Sequence, residues 1–504
     1  MLADAILTAC SVLYVSIPVV IFFYGWLNVY VAVPASLAIL LFVFSVYREL
    51  RRNYFGITCN SAKFWLFMII CLCTWVLLSG IGGFGYQNYD FVARNPIYHD
   101  LCDYEWPVIY EHTGALSYYF TFWLFPAFVS KIFSLTLHGQ NVCLYLWASL
   151  GVCLTAYNVC RHFRRTSFIV PLAIIFFSGL DVVGYLIHCV YSMIYHSAYM
   201  SPALKFHEML LFGHIEVWPQ IFSYSSNTVQ LYWVFNQSIP VWLITSLLIQ
   251  LRESRNHLSL SSLAFAYSPW AAIGIIPIAL TASLTRNRTF RSIFSLQNIL
   301  LPLCMLVIYG AFYLTSMGGS ASRMSSSHWK IVNAKYLIAY LLFILLDFGI
   351  YFIAMGKSIF KYDFSVVVLL VLTLIPLYEF ISGDFIMRAS IPALFILMTF
   401  LIRFLLDEDN RVFRKKILAF MMIIGAWTAM NEINRSTGYT ALNLMNSFGV
   451  LPQQFTRYLD KLHHEELYSI GYVTPDDTKN MGKYGQYISV SNYRDTVFFR
   501  YLAK

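Results

Sequence analysis

The residues best suited to chemistry lie in one short aromatic stretch, GIGGFGYQNYDFVARNPIYHDLCDYEWPVIYEHTGALSYY, at 80–119. It gathers Asp90, Asp100, Asp103, Glu105 and Glu111 directly after an apolar run, 64–78, long enough to enter a bilayer. Anionic side chains beside hydrocarbon are costly unless they meet water or do work there. A cleft of low dielectric also turns a carboxylate into a useful base. The stretch is therefore expected to carry a catalytic carboxylate, with Asp90 the first choice and Asp100 the second. The plain alternative for each is a solvated loop acid. Asp103 extends the acidic cluster, and Glu105, beside Trp106 and Pro107, either shapes a substrate subsite or caps a turn.

Cations on the same side are few: Arg94, Lys205, Arg323, Lys330, Lys335 and Arg388. Arg388 sits where a span begins and either grips a phosphate bidentately or pairs with Asp384 at i, i+4. A second polar stretch, 191–238, carries His196, His207, Glu208, His214 and Glu216, with His188 just before it. His207 and His214 are seven residues apart with no His-Glu-x-x-His, too wide for two ligands of one ion without a third partner. No metal site is assigned, and no cofactor is called for; a divalent metal is compatible with the acids but not indicated. Trp218, Tyr224, Asn227, Tyr232, Trp233, Asn236 and Gln237 read as a sugar-facing wall, or else as an interfacial aromatic belt with polar caps. His207, Glu216, Asn236 and Gln237 join Arg94 and Arg388 as expected substrate contacts.

The elements that must position these residues are membrane helices. The chain has 504 residues, 59% hydrophobic and 12% charged, and its apolar runs repeatedly reach the length of about 18 residues that a spanning helix needs. The net charge of +9 could attract nucleic acid, but Lys and Arg fall in short clusters between apolar runs, so the basicity reads as topology. The ten cysteines lack metal-ligand or disulfide spacing, and only Cys102 and Cys189 lie where a bridge could form. The start, MLADAILTAC, has no basic region to make it a cleaved signal.

Residues 5–24 and 28–47 read as a hairpin returned to the cytoplasm by Arg48, Arg51, Arg52 and Lys63, which places the acidic stretch outside. If 114–137 crossed, the next span, 141–160, would leave Arg161, Arg164 and Arg165 outside, so 114–137 is expected to lie along the interface. Further spans are expected at 168–187, 239–251, 296–315, 331–353, 364–378, 389–406 and 417–431. Residues 258–285, with cations at both ends and Ser268-Pro269 inside, fit two half-helices that dip into the membrane and return. Within 487–501 the alternation suggests strand. The domains read as an N-terminal hairpin and loop (1–63), a core (64–433) with external loops 80–140 and 188–238, and a small external domain (434–504).

Taken in order, a span, an acidic loop, interfacial helices, a split helix pair and a polar C-terminal end resemble the GT-C class of membrane glycosyltransferases. Tyr89-Asp90 is similar to that class's first-loop catalytic acid, the run from His112 to Tyr119 to the start of its juxtamembrane helix, and Ser268-Pro269 to its broken helix pair. The hairpin 5–47 and the lack of an Asp-Glu or Asp-x-Asp pair depart from the pattern. Residues 88–131 are also similar to a segment of poorly characterised bacterial membrane families with a GT-C-like fold. The resemblance implies an all-α polytopic bundle of about 11–13 transmembrane helices, with external juxtamembrane helices and a small external C-terminal domain. It further implies transfer of a sugar from a polyprenyl-phosphate donor to a glycan or lipid acceptor on the outer face of the cytoplasmic membrane, with inversion. The partners would be that donor, the acceptor and the lipid bilayer, with no nucleic acid; the N-terminus would be cytoplasmic and the C-terminus periplasmic or otherwise external. The competing reading is a transporter or flippase of a lipid-linked saccharide, which intramembrane acids paired across helices would favour; the spans hold chiefly Asp347 and Asp181.

Overall fold

The computed structural model describes residues 2–52, 61–195, 214–219, 221–251, 254–287, 294–317, 328–330, 333–379, 384–448 and 488–504. The fold is all-α, about 80% helical, and eight of the described helices are long and apolar enough to cross a membrane. Five shorter apolar helices accompany them. This is a multi-pass membrane protein.

Helices α1 (Leu2–Trp26) and α2 (Val29–Arg52) form the N-terminal hairpin, turned at Asn28, whose side chain accepts from the Val31 amide at 3.1 Å. Helix α3 (Ala62–Leu78) leads into the acidic stretch. Gly80, Gly82 and Gly83 all take positive φ there. At Gly80 a Cβ would stand 2.3 Å from the Tyr86 carbonyl oxygen, so only glycine allows this bend. Helix α4 (Phe91–Asp103), strands β1 (Ile109–Tyr110) and β2 (Gly114–Leu116), and helix α5 (Leu124–Ile132) complete the stretch. Residues 114–137 therefore hold a strand, a tight turn and one short helix.

Helix α6 (Leu137–Phe163) crosses next. The span expected at 168–187 is two helices, α7 (Ile169–Phe176) and α8 (Asp181–Tyr195), separated by an unwound segment at 177–180. Helix α9 (Asn227–Gln250) starts twelve residues before the expected span at 239–251 and is buried along nearly its whole length against α1, α6 and α7. Helices α10 (His257–Ser262) and α11 (Ala264–Tyr267) break at Ser268, and α12 (Pro269–Asn287) follows. α12 packs back along α10, so the break expected at Ser268-Pro269 is present and the two halves lie against each other.

Helices α13 (Leu296–Met317), α14 (Ala334–Ile344), α15 (Ile350–Met355), α16 (Ser365–Leu374), α17 (Asp384–Ala389) and α18 (Ile391–Leu406) follow. A π turn, Leu345–Gly349, joins α14 to α15, and short strands β3 (His328–Trp329) and β4 (Tyr378–Glu379) pair antiparallel. Helix α19 (Val412–Ser447) is 36 residues long, about 54 Å at 1.5 Å per residue, so it outruns a hydrocarbon core of about 30 Å. Asn434, expected to open a separate domain, lies inside it.

The chain end folds back. Strand β5 (Ser489–Val490) adds to β2, with Ala115 opposite Val490. Beyond it the backbone turns rather than continuing as strand, and the Lys504 amide donates to the Trp26 carbonyl at 3.0 Å. The α1–α2 turn, the acidic stretch and the C-terminus thus share one face, here the acidic face. The clusters around Glu49–Arg52, Arg161–Arg165 and Arg403–Lys416 mark the opposite, basic face.

Gly114 has φ +90°, and a Cβ on it would lie 2.0 Å from the Val490 carbonyl oxygen. Gly114→Ala is expected to cost roughly 1–3 kcal/mol and to loosen the β2–β5 pairing. A lower melting temperature and faster tryptic cleavage at Arg494 and Arg500 would register it, whereas Gly310→Ala, where the added carbon meets nothing within 4 Å, should change neither.

Candidate functional site

Helix α4 carries the sequence-predicted acids at its two ends. At its start the Asn88 side-chain oxygen accepts from the Asp90 amide at 3.1 Å, and Arg94 donates to Asp90 at 2.6 Å, one turn on. The Asp90 side chain remains 38% exposed while that of Arg94 is 3% exposed, so the carboxylate faces out and the guanidinium faces in. Arg94 lies over the rings of Phe91 and Phe235, 6.0 and 5.8 Å from their centroids. Its Nε and Nη1 have no hydrogen-bond partner among the described residues.

Phe235 belongs to a kink in α9, where Val234 leaves helical geometry at φ −142°, ψ 36°. The carbonyls that the kink frees are taken up by side chains. Asn88 donates to the Tyr232 carbonyl at 2.8 Å, and Ser238 to that of Gln230 at 3.1 Å. Asn236 and Gln237 follow, both fully buried. Asn236 donates to the Tyr119 carbonyl at 3.0 Å, but its oxygen and both polar atoms of Gln237 are unpartnered among the described residues. The Tyr119 hydroxyl is within electrostatic reach of Arg388, which is buried and paired with Asp384. Asp90, Arg94 and Asn236 therefore border one kink, with Gln237 next along the helix and Arg388 on the far side of Tyr119. Arg388 takes the i, i+4 partner that the spacing allowed.

The far end of α4 is a second site, centred on Asp100, ten residues after Asp90 and so roughly 15 Å away at 1.5 Å per residue. Asp100 is sealed from solvent and accepts from the Tyr110 hydroxyl at 2.7 Å. Burial pushes its carboxyl up to about 6, with the Tyr110 bond opposing and Asp103 adding to the shift. Gln140 donates to Asp103 at 3.0 Å, and its oxygen meets His99 Nδ1 at 2.8 Å. Trp106 donates to the Leu101 carbonyl at 2.9 Å. Lys131 donates to the Tyr104 carbonyl at 2.5 Å and stands 5.4 Å from the Trp106 ring centroid; burial lowers its ammonium, with Cys102, Asp103 and Glu105 opposing. Glu105, Trp106, Lys131 and Lys504 rim an open groove of about 710 Å³, floored by Val20, Ile21 and Phe128.

Glu216 belongs to a third group. Glu432 accepts from Trp233 at 2.9 Å and pairs with Arg435, which also donates toward His214; His214 stands 3.7 Å from Glu216. Glu216 in turn acts electrostatically on Asp181, at the unwound segment between α7 and α8. Asp181 accepts from Ser178 and Thr428 at 2.7 and 2.8 Å and faces Asp347 of the π turn within hydrogen-bonding range. Both acids are buried.

Sequence reasoning passed over Lys131, the cation of the short amphipathic α5, and also Glu432 and Arg435. The latter two lie at i, i+3 past the expected end of the last span, and continuing the helical register would have found them. His207, Lys205 and Arg323 fall outside the described residues. Cys102 and Cys189 are both free, so no bridge joins them. Among the described residues no three His, Cys, Asp or Glu side chains are grouped closely enough to hold a metal ion. The chain matches no family model, no curated protein and no solved structure.

The raised Asp100 carboxyl has a measurable sign. The native state holds a proton that the unfolded chain releases between about pH 4 and 6, so stability falls as pH rises through that window, by up to about 1.4 kcal/mol per pH unit. Asp100→Asn keeps an acceptor for Tyr110 and should flatten that slope in melting curves taken in detergent from pH 4 to 7.

Proposed function

We propose that the protein is a membrane glycosyltransferase of GT-C type, transferring a sugar from a polyprenyl-phosphate carrier to a glycan or lipid acceptor of the cell envelope. The observation that carries this reading is the kink of α9. Arg94, Asn236 and Gln237 bury polar atoms without partners beside the half-exposed carboxylate of Asp90. Leaving such atoms unpaired costs about 1–3 kcal/mol each, a cost that a polyhydroxylated ligand would offset.

In this reading Asp90 takes the proton of the acceptor hydroxyl. The acceptor oxygen attacks the anomeric carbon from the face opposite the phosphate. The bond from that carbon to the phosphate oxygen breaks, the phosphate leaves with the electron pair, and the configuration inverts. Arg94 and Arg388 supply the positive charge that the leaving phosphate needs. Asn236 and Gln237 bond sugar hydroxyls. Asp100, sealed against Tyr110, holds the loop rather than meeting substrate.

The acidic face would then be external and the basic face cytoplasmic, as the arginine clusters support. The shorter apolar helices would complete a bundle of about 11–13 spans. Residues 434–504 would lie outside.

Asp90→Asn should lower transfer by about 10²–10⁴-fold at normal protein levels, assayed in membranes supplied with polyprenyl-phosphate sugars. Asp100→Asn should retain it. Transfer that survives in Asp90→Asn removes the enzyme reading in this form.

A second reading, movement of a lipid-linked saccharide without chemistry, is favoured by the Asp181–Asp347 pair at a broken helix, a setting in which transporters carry coupling ions. Asp347→Asn separates the two. It should leave transfer intact under the first reading and abolish saccharide movement in reconstituted vesicles under the second.

A further inference from the structure

On the basic face, four helix ends surround a cavity of about 570 Å³, a size typical of small-ligand sites. Its walls come from the end of α2, the end of α6 with the turn after it, the end of α9 and the end of α18. Arg161, Arg164, Arg165 and Arg403 line it, opposed by Glu49 and Asp407. We propose that this cavity binds a singly charged phosphate group, as presented by a phosphodiester lipid headgroup or by inorganic phosphate.

Charge bounds the class of ligand. α2, α6, α9 and α18 all point their C-terminal ends here, and each brings about half a negative charge. Together with the two carboxylates these offset the four arginines, so the anion is held by the placement of individual guanidinium groups rather than by a net surplus. A monoanion is then the smallest charge to accommodate, whereas a pyrophosphate overloads the cavity.

The side chains are arranged for such a guest. Glu49 is turned to its own neighbours, accepting from Ser254 at 2.6 Å and the Arg255 amide at 3.0 Å. Asp407 accepts from the Asp409 amide at 3.1 Å and from Asn410. Neither acid is ion-paired with Arg165 or Arg403. Arg403 lies over the Tyr362 ring, 5.2 Å from its centroid, which fixes the guanidinium while leaving its edge to form a bidentate bond. Arg165 is exposed at the mouth. Leu50, Phe163, Leu251 and Leu406 also line the cavity, an apolar surface suited to the first methylenes of a lipid.

The site stands apart from Asp90 and does not rest on the reaction proposed above. The test uses the full chain. In neutral detergent, inorganic phosphate and pyrophosphate are titrated while thermal stability is followed. In parallel, protein taken from phosphatidylcholine vesicles containing phosphatidylglycerol is examined by native mass spectrometry for retained lipid. Saturable stabilisation by phosphate over pyrophosphate identifies a soluble source, and retained phosphatidylglycerol a lipid source; either result, or both, supports the site. In each case Arg165→Gln with Arg403→Gln should weaken binding about tenfold or more. The single Arg165→Gln, at an exposed position that folding does not need, should weaken it in the same direction. Binding of neither anion, or binding that both variants leave unchanged, overturns the proposal.

Discussion

Within hydrocarbon no water is present to satisfy a backbone amide or carbonyl, so every interruption of a helix must find its partners in the protein. Among the described residues, helices are interrupted at 177–180, Val234, Ser268-Pro269 and Leu345–Gly349. Two of these breaks, 177–180 and Leu345–Gly349, meet each other directly. The Leu180 amide donates to the Leu346 carbonyl at 3.0 Å, and the Tyr351 hydroxyl donates to the Ser178 carbonyl at 2.7 Å. The start of α9 closes the remaining gap. Asn227 donates to the Ile174 carbonyl at 3.0 Å and Thr228 to that of Ile175 at 2.6 Å. At the break before Pro269, the Tyr313 hydroxyl reaches the carbonyls of Phe265 and Ala266, each at 3.0 Å.

α9 can do this because it has no lipid face. A helix surrounded by other helices is free to carry Asn227, Thr228, Gln230, Asn236 and Gln237, which would be costly against acyl chains. The same freedom creates the candidate site. Once polar side chains are needed in the interior to repair the backbone, a few more left without protein partners form a place for a ligand. Close approach matters as much: a Cβ on Gly179 would stand 2.8 Å from the Asp347 Cα. The unwound segment and the π turn therefore pack backbone to backbone, bringing the two acids together.

Much of this was legible in the sequence, and what was not has a physical cause. Apolar runs bounded by basic clusters show where apolar helices lie, and Ser268-Pro269 shows the helix break because proline cannot continue the amide ladder. The break at 177–180 carries no such residue. Phe177-Ser178-Gly179-Leu180 is apolar enough to read as helix, and its unwinding is set by partners more than a hundred residues away. α9 began too late in the sequence reading because its first turns are polar, and polarity marks a loop only when a helix faces lipid. The i, i+4 spacing of Asp90 and Arg94 permits a pair, although from sequence the two are given separate roles. That Arg94 would turn inward against Phe235 was not legible, since it depends on the kink at Val234.

The two ends of α4 illustrate how far environment, rather than residue type, assigns a role. Asp90 and Asp100 sit on the same face-crossing helix and differ by ten positions, yet one is open to solvent beside an arginine and the other is sealed against a tyrosine. A base must reach the proton that it removes, and of the two acids only Asp90 is open to a substrate. Asp100 instead fastens α4 to the β1–β2 hairpin through Tyr110, and that hairpin is itself held by β5 and, beyond it, by the chain end on Trp26 and Asn28. The loop is thus fixed at its far end by contacts spanning most of the sequence, while its near end stays open. A carboxylate at the open end of a clamped helix is held in place without being buried, the placement on which the proposed role of Asp90 depends.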